Sequence, residues 1–131
     1  MEMNDRKKIV AVDDSPLILK MLEKVLEDKF DVHSFSTAVR TLQFLRGKDR
    51  IPDLIILDIE MPEMDGYELS SKIREMEHLK DVPIIFLTSN KDRNSVIKAA
   101  ENGAKDYVIK PIDNEILLRK IYLLLHNPDE S

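Results

Sequence analysis

Five short apolar runs alternate along this chain with stretches patterned as helices. They are IVAV at 9–12, VHSF at 32–35, LIIL at 54–57, VPIIFL at 82–87 and DYVI at 106–109. The first, third and fourth are nearly continuous in apolar residues, as strands covered on both faces are; VHSF alternates and is expected at a sheet edge. Regular alternation with short connections predicts an α/β domain with a parallel sheet, helices on both faces and right-handed crossovers. Ligands of such sheets sit beyond the carboxyl ends of the strands.

The helical stretches have readable ends. Ser15-Pro16 reads as an N-cap followed by proline at the first helical position, with Ile18, Met21, Leu22 and Val25 as the apolar stripe. Val39, Leu42 and Phe44-Leu45 mark a second helix stopped by Gly47. A third starts near Gly66 and carries Leu69 and Ile73, with Gly66 expected to supply a positive φ at the turn. A fourth is expected over about 92–103 and a fifth over 114–126. The core spans about residues 7–126 of a single domain covering 1–131, with short loose ends.

Composition narrows the function classes. No cysteine is present among the 131 residues, which excludes disulfides and thiol metal sites and fits a reducing compartment. No apolar run approaches a membrane span of roughly 20 residues, and the N-terminus shows no secretory signal. A net charge of -5 and an aromatic fraction of 5% without tryptophan argue against direct nucleic-acid binding.

The strand ends carry the chemistry. LIIL runs straight into Asp58, and a buried unpaired charge is costly. The first strand ends in Asp13-Asp14, the fourth in Thr88-Ser89 and the fifth in Lys110-Pro111. Taken singly, each fits the ordinary preference for polar residues where a chain turns into solvent. Taken together, three carboxylates, two hydroxyls and an ammonium converge on one edge. Crowded acids resist ionisation, and a hard divalent cation such as Mg2+ relieves them through carboxylate oxygens and water. Lys110 would meet a phosphate oxygen and Thr88 or Ser89 would donate a hydroxyl. Asp58 is then the nucleophile of a phosphoryl transfer. As a strand-end charge, Lys110 is expected to matter more for this chemistry than for stability.

VDDS at 12–15, ILDIEMPEMDGYEL at 56–69, FLTS at 86–89 and AKDYVIKP at 104–111, in this order and spacing, resemble the receiver domains of two-component response regulators. The resemblance covers about Lys7 to His126. It implies a flavodoxin-like, doubly wound α/β fold with five parallel strands in the order 2-1-3-4-5 and five helices. It also implies that Asp58 is the phosphoacceptor, that Asp14 binds Mg2+ directly and Asp13 mostly through water, and that the Glu60 backbone carbonyl completes the metal ligands. Thr88 would be the hydroxyl that moves toward the phosphoryl group, Lys110 its ion partner and Tyr107 the aromatic switch residue. A cis Lys110-Pro111 bond belongs to the same pattern, and Glu60 and Asn90 would tune the lifetime of the acyl phosphate. The implied partner is a sensor histidine kinase or phosphotransfer protein in the cytoplasm, and no turnover of an external substrate is expected.

Two other readings compete with this one. A magnesium-dependent phosphatase working through an aspartyl phosphate would use Glu60 as its second acid, but no cap domain is present to enclose a substrate. A flavin or nucleotide carrier fails for want of a glycine-rich loop after the first strand. With Ser131 just past the fifth helix, the chain reads either as a stand-alone regulator or as a receiver cut from a longer one. On the fifth helix, Leu117, Leu118, Ile121, Leu124 and Leu125 form the stripe facing the sheet. Ile116 and Leu123 lie on the opposite side, flanked by Arg119 and Lys120. Together with the fourth helix and the fifth strand they form the expected docking or self-pairing surface.

Overall fold

In the computed structural model, which describes residues 6–89, 97–98 and 100–126, five strands form one parallel sheet in the order β2-β1-β3-β4-β5. The strands are β1 (Lys8–Val12), β2 (Asp31–Phe35), β3 (Leu54–Asp58), β4 (Ile84–Thr88) and β5 (Asp106–Ile109). All of β3 and β4 is buried, as continuous apolar runs in a sheet covered on both faces require. The alternating β2 lies at one edge, as its pattern predicts. The order reverses between β1 and β3, so the carboxyl ends of these two strands flank the crevice where such sheets bind ligands.

Four α-helices are bounded among the described residues. They are α1 (Pro16–Leu26), α2 (Ala38–Leu45), α3 (Gly66–Arg74) and the C-terminal helix (Asn114–His126), with a short 3-10 turn at Glu77–Leu79. Most of the fourth predicted helix and Asn90 lie outside the described residues. Residues 97, 98, 100 and 101 are helical and end at Gly103, whose φ of 84° is the left-handed conformation glycine adopts beyond a helix end. Ser15 caps α1 by accepting the Ile18 N–H at 3.3 Å, and Asp65 caps α3 by accepting the Glu68 N–H at 2.9 Å.

Helix phase is where sequence and structure part. On α1 the buried residues are Leu19, Leu22 and Leu26, while Ile18 and Val25 pack at the margin and Leu17 stays 79% exposed. The run PLILKML offers several helical stripes, and β1 and β3 select the one that meets Ile9, Ala11, Leu54 and Ile56. Val39 of α2 points outward; Ala38, Thr41, Leu42 and Leu45 are covered instead. On the C-terminal helix the expected phase holds. Leu117 and Ile121 are fully buried, Leu118, Leu124 and Leu125 pack beside them, and Ile116 and Leu123 are exposed.

The core therefore has two layers. One side of the sheet packs against α2 and α3 through Val10, Val12, Leu57, Phe86, Leu69 and Ile73. The other packs against α1 and the C-terminal helix through Ile9, Ile56, Leu87, Leu22, Leu117 and Ile121. Rigid strands covered on both faces are what fix the side chains at their carboxyl ends.

Candidate functional site

Asp13 follows β1, Asp58 closes β3, Thr88 closes β4 and Lys110 follows β5. The register pairs Val12 with Leu57 and Asp58 with Leu87, which brings the acids side by side in the crevice. Carboxylate oxygens of Asp13, Asp14 and Asp58 lie within 4.8 Å of one another. Asp13 and Asp58 are buried while Asp14 is open to solvent, so the cluster has one wet side.

The lysine answers the buried charge. Lys110 Nζ lies 3.2 Å from Asp58 Oδ1 and 3.1 Å from Asp13 Oδ2. Its side chain is only 18% exposed, so a strand-end position has not left it to solvent. Backbone donors complete the cradle: the Glu60 N–H donates to Asp58 Oδ1 at 3.2 Å and the Ser15 N–H donates to Asp13 Oδ1 at 2.9 Å. Among the described residues, none donates a hydrogen bond to the buried Asp58 Oδ2, and Asp13 Oδ2 meets the ammonium as an ion pair without hydrogen-bond alignment. A buried carboxylate oxygen without a donor, set among three crowded acids, is a place where an added cation would find a ligand.

Electrostatics point the same way. Burial, then the neighbouring Asp13 charge, push the Asp58 carboxyl from 3.8 up to about 7, against the opposing pull of Lys110. Burial by itself would lower the Lys110 pKa, but contact with Asp13 and then Asp58 more than offsets it, and the net shift is upward. The ammonium stays charged, yet Asp58 remains harder to ionise than a free carboxyl. Oxygen-only, carboxylate-rich and open to solvent at Asp14, the donor set of Asp13, Asp14 and Asp58 fits Mg2+.

The remaining predicted residues surround this centre. Thr88 is 3% exposed at the end of β4, and its carbonyl accepts the Lys110 N–H at 2.7 Å. Ser89 donates to Glu60 Oε1 at 3.0 Å, bridging the loops after β3 and β4. Tyr107 is half-buried against the α2/α3 side of the core and registers with Phe86. The Lys110-Pro111 bond is cis, as the resemblance implies. Lys120 is already engaged within the chain: its ammonium lies 2.7 Å from Asp106 Oδ1 and 5.3 Å from the Tyr107 ring centroid. Arg119 is exposed. His33 is 3.3 Å from Asp31, and His78 contacts the Leu45 carbonyl at 2.8 Å.

Sequence reasoning missed one residue and misassigned another. The positive φ in the loop after β3 belongs to Glu63, at 73°, and Gly66 has none. Gly66 is needed for a different reason: a Cβ there would fall well inside van der Waals range of the Asp58 carbonyl oxygen and 2.8 Å from Ile59 Cα. A glycine eight residues after the acid was the available signal, but only the packed backbone shows what it touches.

These features define a class, and comparison with known proteins agrees. The response regulator receiver domain family matches residues 9–122, and the chain belongs to it. Over 112 residues the chain is 38% identical to the two-component response regulator ORR22 of Oryza sativa subsp. indica, covering 84% of this chain and 16% of that protein. It is 33% identical over 110 residues to the sensor histidine kinase CheAY of Helicobacter pylori, covering 83% of this chain and 14% of that protein. The chain thus spans only 14% to 16% of the length of these two relatives. Among solved structures, the chemotaxis protein CheY4 of Vibrio cholerae superposes with a TM-score of 0.85 at 29% identity, covering 92% of this chain and 99% of that one. No helix among the described residues is long and apolar enough to cross a membrane.

Proposed function

We propose that this chain is a single receiver domain serving as the phosphoacceptor switch of a two-component phosphorelay, with Asp58 as its nucleophile. The observation that carries this reading is the free, buried Asp58 Oδ2 beside an otherwise satisfied Oδ1. Lys110 and the Glu60 amide hold one oxygen, which fixes the carboxylate plane and leaves the other with its lone pair available. Oδ2 attacks the phosphorus of a phosphohistidine on a sensor kinase or phosphotransfer protein. The new O–P bond forms as the N–P bond breaks, and the imidazole leaves with the electron pair.

Asp13, Asp14 and Asp58, with the Glu60 carbonyl, are the residues that would hold Mg2+. When bound, the ion supplies positive charge against the phosphoryl oxygens and the crowded acids. Lys110 is placed to pair with a phosphoryl oxygen on Asp58, and Thr88 to donate its hydroxyl to another. The phosphoryl group carries roughly -1.5 to -2 in place of the carboxylate's single charge, and this change then biases a two-state surface. With Mg2+ and acetyl phosphate the protein is expected to gain one acid-labile phosphoryl group, and Asp58→Asn none. Mass spectrometry before and after acid treatment checks this. Labelling of Asp58→Asn at the wild-type level would refute the assignment.

For the outgoing signal, the proposed surface is formed by β5 and the C-terminal helix. Tyr107, Ile109, Pro111, Ile116 and Lys120 line a hollow there, and Ile116 and Leu123 are 42% and 59% exposed. Arg119 is free to meet an acid on a partner or second copy, whereas Lys120 would first have to leave Asp106. Ile116→Glu combined with Leu123→Glu is expected to weaken phosphorylation-dependent association at least tenfold. Because both side chains are solvent-exposed, each change should alter stability by no more than about 0.5 kcal/mol. Sedimentation with and without phosphodonor reads the first effect and urea unfolding the second. A double variant that still associates on phosphorylation places the output surface elsewhere.

A further inference from the structure

We infer that Gly66 is a positioning residue for the phosphoacceptor, acting through the backbone of Asp58 rather than through the shape of its own turn. This deepens the reading of Asp58 as nucleophile and rests on it. The first residue of α3 lies directly on the end of β3. Its N–H donates to the Ile59 carbonyl at 2.8 Å, and its Cα comes so close that a Cβ would collide with the Asp58 carbonyl oxygen and lie 2.8 Å from Ile59 Cα and 3.1 Å from the Asp58 carbonyl carbon. All three are backbone atoms, so no side-chain rotation can relieve the clash. Either α3 or the Asp58–Ile59 peptide must shift.

Ordinary backbone preference does not explain the glycine. Its φ is not positive, so alanine could adopt the same conformation in isolation. What glycine permits is close approach. On the far side, α3 is anchored by Leu69 and Ile73, both fully buried, and by the Asp65 cap on the Glu68 N–H. On the near side, the Ile59 N–H donates to the Leu87 carbonyl at 3.0 Å, tying the same peptide to β4. The Asp58–Ile59 peptide is thus held between α3 and β4. That grip sets where the Glu60 N–H meets Asp58 Oδ1 and where Oδ2 is left open. A displacement of a few tenths of an ångström here moves the nucleophile relative to Asp13, Asp14 and Lys110, which follow other strands.

Gly66→Ala is expected to bind Mg2+ at least tenfold more weakly and to label from acetyl phosphate at least tenfold more slowly, with the sheet intact by circular dichroism. Ile73→Val, which trims a buried methylene elsewhere on α3, serves as the stability-matched control. It should unfold at a lower urea concentration than wild type yet keep wild-type Mg2+ affinity and labelling rate. A purely structural role for Gly66 would make the two variants behave alike in the folded state, and that result overturns the inference. A second measurement needs no variant and decides the matter if Gly66→Ala does not fold. In wild-type protein the Gly66 amide signal should move with those of Asp58 and Ile59 as Mg2+ is titrated to millimolar concentration. A Gly66 signal that stays fixed while Asp58 and Ile59 shift overturns the inference. Failure of wild-type protein to label at all would instead refute the phosphoacceptor reading, so the two failures are distinguishable.

Discussion

Asp58→Asn is expected to stabilise the metal-free protein at pH 8 by on the order of 2–4 kcal/mol, an advantage that disappears below about pH 4. Burial and the Asp13 charge raise the Asp58 pKa from 3.8 to about 7. The neutral carboxyl is therefore favoured in the folded chain. Its contribution to stability is fully present below the unfolded value of 3.8, is lost as pH rises toward about 7, and is absent above that. Asparagine has the same shape without the charge and shows no such dependence. Urea unfolding of both proteins between pH 4 and pH 8 without metal measures the difference. Saturating Mg2+ should narrow the gap by binding the native wild-type acids more strongly than those of the variant. A gap that does not change with pH would mean that Asp58 ionises in the fold as easily as in the unfolded chain.

Lys110→Met should act in the opposite direction and about as strongly. Methionine keeps the apolar stem but removes the ammonium that meets Asp13 Oδ2 and Asp58 Oδ1, which lie 3.1 Å and 3.2 Å from Nζ. Breaking a buried ion pair leaves uncompensated charge, at a cost of about 3–5 kcal/mol. That loss is expected at pH 8 without metal, and it should shrink as pH falls and Asp58 takes up a proton. Mg2+ should restore much of the stability while labelling of Asp58 stays impaired, because a metal held by the acids does not reproduce an ammonium beside the phosphoryl oxygens. Combining Lys110→Met with Asp58→Asn should cost less than the sum of the separate effects, with a coupling of about 1–3 kcal/mol. Simple additivity would show that the two side chains do not sense each other in solution.

The two variants differ from a strand-end view of the site, in which Lys110 faces water and its loss spares stability. Asp58 and Lys110 are separated by 52 residues, and their contact arises only when β4 intervenes between β3 and β5 in the sheet. No local pattern carries that information. The partnership of Lys120 with Asp106 is of the same kind: two surface charges on different elements, paired because the C-terminal helix crosses β5.

Strand positions, the edge placement of β2, the cap at Ser15 and the gathering of Asp13, Asp14, Asp58, Thr88 and Lys110 at one rim were all legible in the sequence. Each depends on a period-two or continuous apolar pattern, or on a side chain bonding to backbone within three residues, and such interactions are encoded where they act. The phase of α1, the outward turn of Val39, the burial of Lys110 and the role of Gly66 were not. An apolar run such as PLILKML can present more than one stripe, and the strands beneath it choose among them by fit. A glycine at the start of a helix looks like turn chemistry until the backbone it presses against is in place. Those features were decided by close packing between segments distant in the chain, where a few tenths of an ångström separate a contact from a collision.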